Sequence, residues 1–151
     1  MAKYENTGMR DIAPSKMHRT LGSKLYMTDL DCVLYNQTAA GIEIIAFVDW
    51  KNGNMRYSAE FSAIGAQKEL ARLARRPFFI IVYWLDDGET PMLFVRPANG
   101  LAYSHSPLPG EWMSIREYAI WEHQLRGLTP DPAEINSLSS ARATYRLPNF
   151  Y

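Results

Sequence analysis

The chain has 151 residues, of which 47% are hydrophobic and 21% are charged, a composition that indicates one globular domain and excludes a wholly disordered protein. Its 16 lysine and arginine residues balance its 16 aspartate and glutamate residues, which excludes a protein that holds nucleic acid by bulk positive charge alone. The sequence shows no signal peptide and no apolar run near the roughly 18 residues of a membrane helix. Cys32 is the single cysteine, which excludes an intrachain disulfide and a cysteine-based zinc site. We therefore expect a cytoplasmic protein without membrane contacts.

A polar N-terminal segment is followed by a predicted hairpin. Residues 1–24 are polar and predict one short helix at Ser15–Thr20. β-Branched and aromatic residues predict strands at Leu30–Tyr35 and Ile42–Lys51, the second of them buried on both faces. Turn-forming residues over 36–41 are predicted to connect the two strands.

An amphipathic helix is predicted next, over Ser58–Arg76, and Pro77 is expected to end it. Its apolar arc consists of Ala59, Ala63, Ala66, Leu70, Leu73 and Ala74. Gln67 lies inside this arc, which is an unusual place for a polar side chain. Two strands are predicted to follow the helix, at Phe78–Trp84 and at Met92–Val95.

The last third of the chain contains the helix with the clearest start and stop signals. After a predicted loop over residues 97–112, a capping box at Ser114 and Glu117 predicts a helix that runs to Arg126 and ends at Gly127. The remaining residues, 128–151, are rich in proline and serine and are predicted to form a tail. The order of elements predicts one α/β domain over residues 1–127, with a central mixed sheet of four to five strands flanked by helices.

Two aspartates and a lysine are predicted to meet at one end of the hairpin. Asp49 and Lys51 alternate onto the same face of their strand, whereas Trp50 points to the other face. A simple hairpin places Asp31 opposite residue 46, and a connection shifted or bulged by a residue or two places it opposite residues 47 to 49. Two carboxylates roughly 5 Å apart suit Mg²⁺ or Mn²⁺, and a lysine beside them positions water or stabilises charge on a phosphate. Gln67 would reach the same site and orient a water or a phosphate.

Simpler interpretations of these residues stay open. The Asp-x-Lys pair would also form a surface salt bridge of little energetic value. Asp31 would also cap a turn, and Gln67 would bond the backbone where helix and sheet meet. Asp29 is an alternative to Asp31, which we favour because it lies further inside the strand. Glu43 shares the predicted face of Asp49 but lies six residues, roughly 20 Å, away along the strand.

The site residues resemble a known signature. Asp31, a turn and then Asp49-Trp50-Lys51 look like the motif of the PD-(D/E)XK nuclease superfamily, in which a hairpin carries the acids and an amphipathic helix and a buried strand follow. Over residues 17–127 the chain is also similar to small phage and bacterial members, through the segments His18-Arg19, Thr28-Asp29-Leu30-Asp31 and Leu125-Arg126-Gly127. The resemblance implies a restriction-endonuclease-like fold and a Mg²⁺- or Mn²⁺-dependent deoxyribonuclease, acting in a host cytoplasm if the chain is phage-encoded.

The resemblance also implies a role for each residue of the motif. Asp31 and Asp49 would be metal ligands, together with the backbone carbonyl of Trp50, and Lys51 would position the attacking water. The candidate DNA contacts are His18, Arg19 and Lys24.

Two other functions fit the same sequence. A catalytically inactive module of the same fold would bind DNA or a host protein through a basic surface made of Arg10, Lys16, Arg19 and residues 72–76. In a purely structural protein the Asp-x-Lys pair would be accidental, and Asp31 and Lys51 would face separately into solvent. Cleavage of both DNA strands favours a homodimer, with an interface supplied by Trp112, Tyr118 and Trp121.

Overall fold

A computed structural model describes residues 31–53, 62–85, 91–107 and 112–140. It confirms the predicted α/β class, with a single mixed sheet of five strands flanked by helices. The elements in chain order are β1 (Cys32–Thr38), β2 (Gly41–Asn52), α1 (Ser62–Ala74), β3 (Phe78–Leu85), β4 (Pro91–Pro97), α2 (Gly100–Tyr103), β5 (Met113–Ser114), α3 (Ile115–Leu125) and α4 (Pro132–Ser137). The short helix predicted at Ser15–Thr20 lies outside the described residues. No helix within the described ranges is long and apolar enough to cross a membrane.

The strands lie in the sheet in chain order, from β1 at one edge to β5 at the other. β2 and β3 are parallel, and the other neighbouring pairs are antiparallel. A parallel pair needs a crossover connection, and α1 provides it between β2 and β3. The carboxyl ends of β2 and β3 therefore lie side by side, where both strands leave the sheet.

The connection between the first two strands is shorter than predicted. Ala39-Ala40 forms a two-residue turn, and Thr38 pairs directly with Gly41. The predicted boundaries of the first strand were therefore wrong, because residues 36–38 continue the antiparallel ladder and Asp31 precedes it.

A β-bulge then changes the register of the hairpin. Tyr35 pairs with Ile44 but Leu34 pairs with Ala46, so that Ile45 is an extra residue in β2. Beyond the bulge the ladder continues to Cys32, which lies opposite Val48.

Alternation along the strands divides the core between the two faces of the sheet. On the face that packs against α1, the buried cluster consists of Phe47, Ile64, Ala71, Phe78, Ile80 and Val82. On the face that packs against α3, it consists of Ala46, Val48, Phe79, Ile81, Leu93, Val95, Ala102, Met113, Tyr118 and Trp121. We call these the α1 face and the α3 face. The continuous burial from Ala46 to Asp49 confirms that the centre of β2 is covered on both faces.

The predicted apolar arc of α1 was wrong in its direction. The buried residues of the helix are Ile64, Gln67 and Ala71, spaced three and four apart, whereas Leu70 and Leu73 are exposed. The helix ends at Ala74 with a left-handed residue, Arg75, whose φ is 53°. The amides of Arg75 and Arg76 donate to the carbonyls of Arg72 and Ala71, respectively. This is the Schellman pattern, in which the left-handed residue, here Arg75, is usually glycine.

The C-terminal part of the sheet carries two short helices that the sequence analysis assigned to a loop and a tail. Asn99 caps α2 by accepting from the amide of Ala102, and Asp131 caps α4 by accepting from the amide of Ala133. The capping box of α3 is confirmed, since the Ser114 amide donates to Glu117 Oε2 at 2.8 Å and the Ser114 hydroxyl accepts from the Glu117 amide.

Candidate functional site

The sequence predicted that Asp49 and Lys51 would share one face of β2, and the structure confirms it. Asp49 alternates with Phe47 and therefore lies on the α1 face. Trp50 points to the α3 face, where its ring lies 5.7 Å from that of Tyr118 and 6.4 Å from that of Tyr83. The tryptophan thus anchors this strand end in the core while its two neighbours face the opposite side.

Asp31 reaches the same strand end from β1. One step beyond the last pair of the ladder, Cys32 with Val48, brings Asp31 level with Asp49. Asp31 Oδ2 accepts a hydrogen bond of 3.0 Å from the amide of Trp50. Cys32 packs against the α3 face, so Asp31 alternates onto the α1 face. The extended register thus places Asp31 opposite residue 49, at the far end of the predicted range of 47 to 49.

Asp49 is a buried carboxylate with an incomplete set of hydrogen bonds. Its side chain is only 2% exposed, and Lys51 Nζ donates to Oδ1 at 2.9 Å and lies 2.8 Å from Oδ2. The second contact lacks hydrogen-bond geometry, which leaves Oδ2 without a donor among the described residues. The Lys51 ammonium is the cation that this oxygen has beside it, and burial removes the water that would otherwise solvate its charge.

The electrostatics of the cluster follow from this burial. Burial first, and then the interaction with the neighbouring Asp31 carboxyl group, raise the pKa of Asp49 from its ordinary value of 3.8 to about 6. The Lys51 ammonium acts in the opposite direction. Two close carboxyl groups resist ionising together, so the pair is stabilised by positive charge beyond that of the lysine. Lys51 remains 30% exposed and Asp31 is exposed, so the cluster opens to solvent on their side.

Gln67 is buried in α1, as its position inside the predicted arc suggested. Ile64 and Ala71, one turn to either side of it, belong to the core of the α1 face. Gln67 therefore faces the same side of the sheet as Asp49. Its alternative role, a hydrogen bond to backbone where helix and sheet meet, stays open.

The donor set suits a hard divalent cation. Asp31 and Asp49 are hard oxygen ligands, the kind that Mg²⁺ and Mn²⁺ prefer, and Mg²⁺ is usually held by one or two carboxylates with water completing its shell. Within the described ranges there is no cluster of three or more histidine, cysteine, aspartate or glutamate side chains. A metal here would thus take its remaining ligands from backbone oxygen, such as the Trp50 carbonyl, and from water. Asp49 Oδ2 accepts no hydrogen bond within the described residues, although the Lys51 ammonium lies 2.8 Å from it.

Several predicted site residues fall outside this cluster. The candidate DNA contacts His18, Arg19 and Lys24 lie outside the described residues, as does Asp29. Two of the three aromatic residues predicted to form a dimer interface, Tyr118 and Trp121, were wrongly assigned, because they are buried in the core of the α3 face. The third, Trp112, is half-buried and packs against Phe94 on the α1 face.

One contact beside Lys51, at the end of β2, carries no signal that predicted it from the sequence. The amide of Gly53 donates to the Tyr83 carbonyl at 2.7 Å, and the Trp84 side chain covers the glycine. A Cβ at this position would lie 3.2 Å from both the Tyr83 oxygen and a Trp84 ring carbon. The Asn52-Gly53 pair is a strong turn signal in the sequence, and the glycine also permits this close approach.

No protein-family model, curated protein or solved structure matches this chain. The resemblance to the PD-(D/E)XK superfamily therefore stays a prediction, carried by the motif and by the geometry of its residues.

Proposed function

We propose that the chain is a metal-dependent nuclease that hydrolyses phosphodiester bonds of DNA. The observation that carries the proposal is the convergence of Asp31, Asp49 and Lys51 at one end of the β1–β2 hairpin. An accidental Asp-x-Lys pair would leave Asp31 and Lys51 facing separately into solvent. Instead, Asp31 bonds the backbone of Trp50 between them, and Lys51 bonds Asp49.

Asp31 and Asp49 are the residues that would hold the metal, with the carbonyl of Trp50 as a third ligand. A bound divalent cation would lower the pKa of a coordinated water and stabilise negative charge on the phosphate. The buried Asp49 carboxylate would provide one metal ligand, and the exposed Asp31 carboxylate would provide a second from the neighbouring strand. Because Asp31 is bonded to the amide of Trp50, its position is tied to the backbone that carries the other two residues.

Lys51 contributes the positive charge of the site. Its ammonium group has three protons to donate, one of which is engaged by Asp49 Oδ1. The group is partly exposed and would donate to an attacking water or to a phosphate oxygen, stabilising the charge that develops as the phosphodiester bond breaks. Gln67, buried on the same side, would orient the water or a phosphate oxygen through its amide.

A plasmid-nicking assay in Mg²⁺ and in Mn²⁺ tests this assignment. Asp49→Asn removes the buried charge with little change in shape, and Lys51→Ala removes the ammonium group. The matched controls are Glu43→Gln, an exposed carboxylate on the same strand, and Lys68→Ala, a lysine on α1. We expect metal-dependent nicking by the parent chain and by both controls, and a loss of at least roughly 100-fold in each site variant.

Two results would contradict the proposal. Nicking that survives both site substitutions would place the activity elsewhere or in a contaminant. Absence of nicking by the folded parent chain in either metal would reject the enzyme, and DNA binding measured on the same sample would then assign the catalytically inactive module.

A further inference from the structure

Exposed apolar side chains lie on the β1–β2 hairpin beside the candidate site. They are Val33, which is 37% exposed, Tyr35 (51%), Ile42 (73%) and Ile44 (37%), and we call them the hairpin patch. Contiguous apolar surface of this kind marks an interaction site.

The patch lies on the same face of the sheet as the candidate site. Leu34 packs against the core of the α3 face, so Val33 and Tyr35 alternate onto the α1 face. Tyr35 pairs with Ile44 in the ladder, and paired residues share a face. Asp31, Val33 and Tyr35 therefore form one row along β1, in which Tyr35 lies four residues, about 13 Å, from Asp31. The patch thus continues directly from the site along the hairpin.

Charge on this face of the hairpin is confined to the end that carries the site. Lys51 is the only lysine or arginine in residues 31–53, and no residue from Cys32 to Ile42 is charged. Glu43 pairs with Asn36 on the α3 face. A phosphate backbone that lay along the hairpin beyond Lys51 would meet no cation of the hairpin itself. The patch therefore suits the uncharged parts of a nucleic acid, which are its bases.

Tyr35 is the side chain of the patch that is best suited to a base. Half of its surface is exposed, and an aromatic ring stacks on any base, since every base has a π-face. In a duplex the bases are stacked inside and are reached only when they leave the stack, whereas the phosphates face outward. A single strand leaves its bases free to turn toward the protein.

The backbone that carries this ring is held from the opposite face of the hairpin. The Arg126 guanidinium donates to the Tyr35 carbonyl at 2.9 Å, and Asn36 Nδ2 donates to the Arg126 carbonyl at 2.8 Å. These bonds use main-chain atoms of Tyr35 and Arg126 and leave the tyrosine side chain unengaged by them. The ring is thus presented from a fixed strand, which lowers the entropic cost of binding a base.

We propose that the hairpin patch is a base-binding subsite, which makes single-stranded or locally unpaired DNA the substrate of the chain. A strand with a phosphate at the candidate site would stack a nearby base on Tyr35, with Val33 and Ile44 beside the ring. This assignment rests on the proposed nuclease function, to which it adds the substrate class. Negatively supercoiled plasmid opens base pairs locally, so plasmid nicking is compatible with it.

Fluorescence anisotropy of a labelled thymidine oligonucleotide, alone and paired with its complement, tests the subsite on the full chain. Divalent metal is left out so that neither DNA is cut. We expect the single strand to bind more tightly than the duplex by roughly 5- to 150-fold, the range that one stacked base contributes. Tyr35→Ala should lose this factor for the single strand and leave duplex binding unchanged, whereas Tyr35→Phe retains the ring and should bind like the parent chain.

A matched control and the salt dependence separate stacking from a general loss of affinity. Tyr103→Ala removes a 70% exposed tyrosine from α2, which packs on the α3 face through Ala102, and it should bind like the parent chain. Tyr35→Ala should leave the slope of log K against log salt unchanged, because a stacked base releases no counterion. Lys51→Ala should reduce that slope by about 0.7, the value for one phosphate contact on a single strand. Circular dichroism verifies that the variants are folded.

Mn²⁺-dependent cleavage of the same two DNAs distinguishes failure of the subsite from failure of the proposed function. If neither DNA is cut but the single strand binds in a Tyr35-dependent manner, the subsite is supported and the nuclease assignment is wrong. If DNA is cut but Tyr35→Ala binds the single strand as the parent chain does, the subsite is overturned and the nuclease assignment is retained. Duplex binding as tight as single-strand binding, or equal losses in Tyr35→Phe and Tyr35→Ala, also overturn the subsite. A folded parent chain that binds neither DNA overturns it as well and leaves the patch to a protein partner.

Discussion

Asp49→Asn isolates the energetic consequence of burying one carboxylate beside another. Burial and the neighbouring Asp31 raise the pKa of Asp49 from 3.8 to about 6 in the folded chain. Each pKa unit corresponds to about 1.4 kcal/mol, so the difference of about 2 corresponds to about 3 kcal/mol of unfolding free energy. Because the folded chain binds this proton more tightly than the unfolded chain, the contribution is fully present below about pH 4 and is lost as the pH rises through about 6.

The measurement is urea unfolding of the parent chain and of the variant, across this pH range and without divalent metal. Asparagine cannot titrate, so the difference in unfolding free energy between parent and variant should move in favour of the variant by about 2 kcal/mol from pH 4 to pH 7.5, since Asp49 of the unfolded chain is already about half ionised at pH 4. Glu43→Gln on the same strand is the control and should differ from the parent by less than roughly 0.5 kcal/mol throughout. A difference that stays constant with pH, or that moves in favour of the parent chain, would refute the reasoning. The second result would mean that the ion pair with Lys51 outweighs the burial of the charge.

Three further outcomes are expected. Mn²⁺ at about 100 times its dissociation constant should raise the unfolding free energy of the parent chain at pH 7.5 by about 2.7 kcal/mol and leave that of Asp49→Asn unchanged, as thermal or urea unfolding will show. Arg75→Gly should raise the unfolding free energy by roughly 0.5 to 1 kcal/mol, because glycine adopts the positive φ of 53° without steric cost; a lower stability in urea would contradict this. Two alanine substitutions should have opposite signs in the same assay. Gly53→Ala should destabilise by about 1 kcal/mol or more through its contacts with Trp84 and the Tyr83 carbonyl, whereas Gly65→Ala, in α1 with open space around it, should stabilise by roughly 0.5 to 1 kcal/mol.

Elements whose signals are local in the chain could be predicted closely. The helix α3 begins and ends where the capping box at Ser114 and the glycine at position 127 indicate, because both signals act within one turn of the helix end. The short helices could not be predicted in this way. Asn99, which caps α2, also accepts from the Phe78 amide and donates to the Arg76 carbonyl. The Arg116 guanidinium donates to the carbonyl of Leu138, the residue that follows α4. Helices of four and six residues depend on such contacts with distant parts of the chain.

The buried side of α1 also depended on a partner that its own sequence does not specify. Averaging over the whole apolar arc pointed toward Leu70 and Leu73, but the helix packs on the sheet through Ile64, Gln67 and Ala71. Gln67 was the better indicator of the buried side, since a polar residue among apolar neighbours is more informative than another leucine.

The candidate site depends on one residue that carries no chemistry. With the two-residue turn and no bulge, the pairing of Tyr35 with Ile44 would continue to Asp31 opposite Val48, on the α3 face. The extra residue Ile45 moves the register by one, and since paired residues share a face, it brings Asp31 to the side of Asp49. The same bulge places the Glu43 side chain on the α3 face, opposite to that of Asp49. Glu43 pairs with Asn36, whose side chain reaches Arg126 on the α3 face, although counting in twos along β2 would put Glu43 and Asp49 together. The approach of the Asp31 and Asp49 carboxylates thus depends on the β-bulge at Ile45.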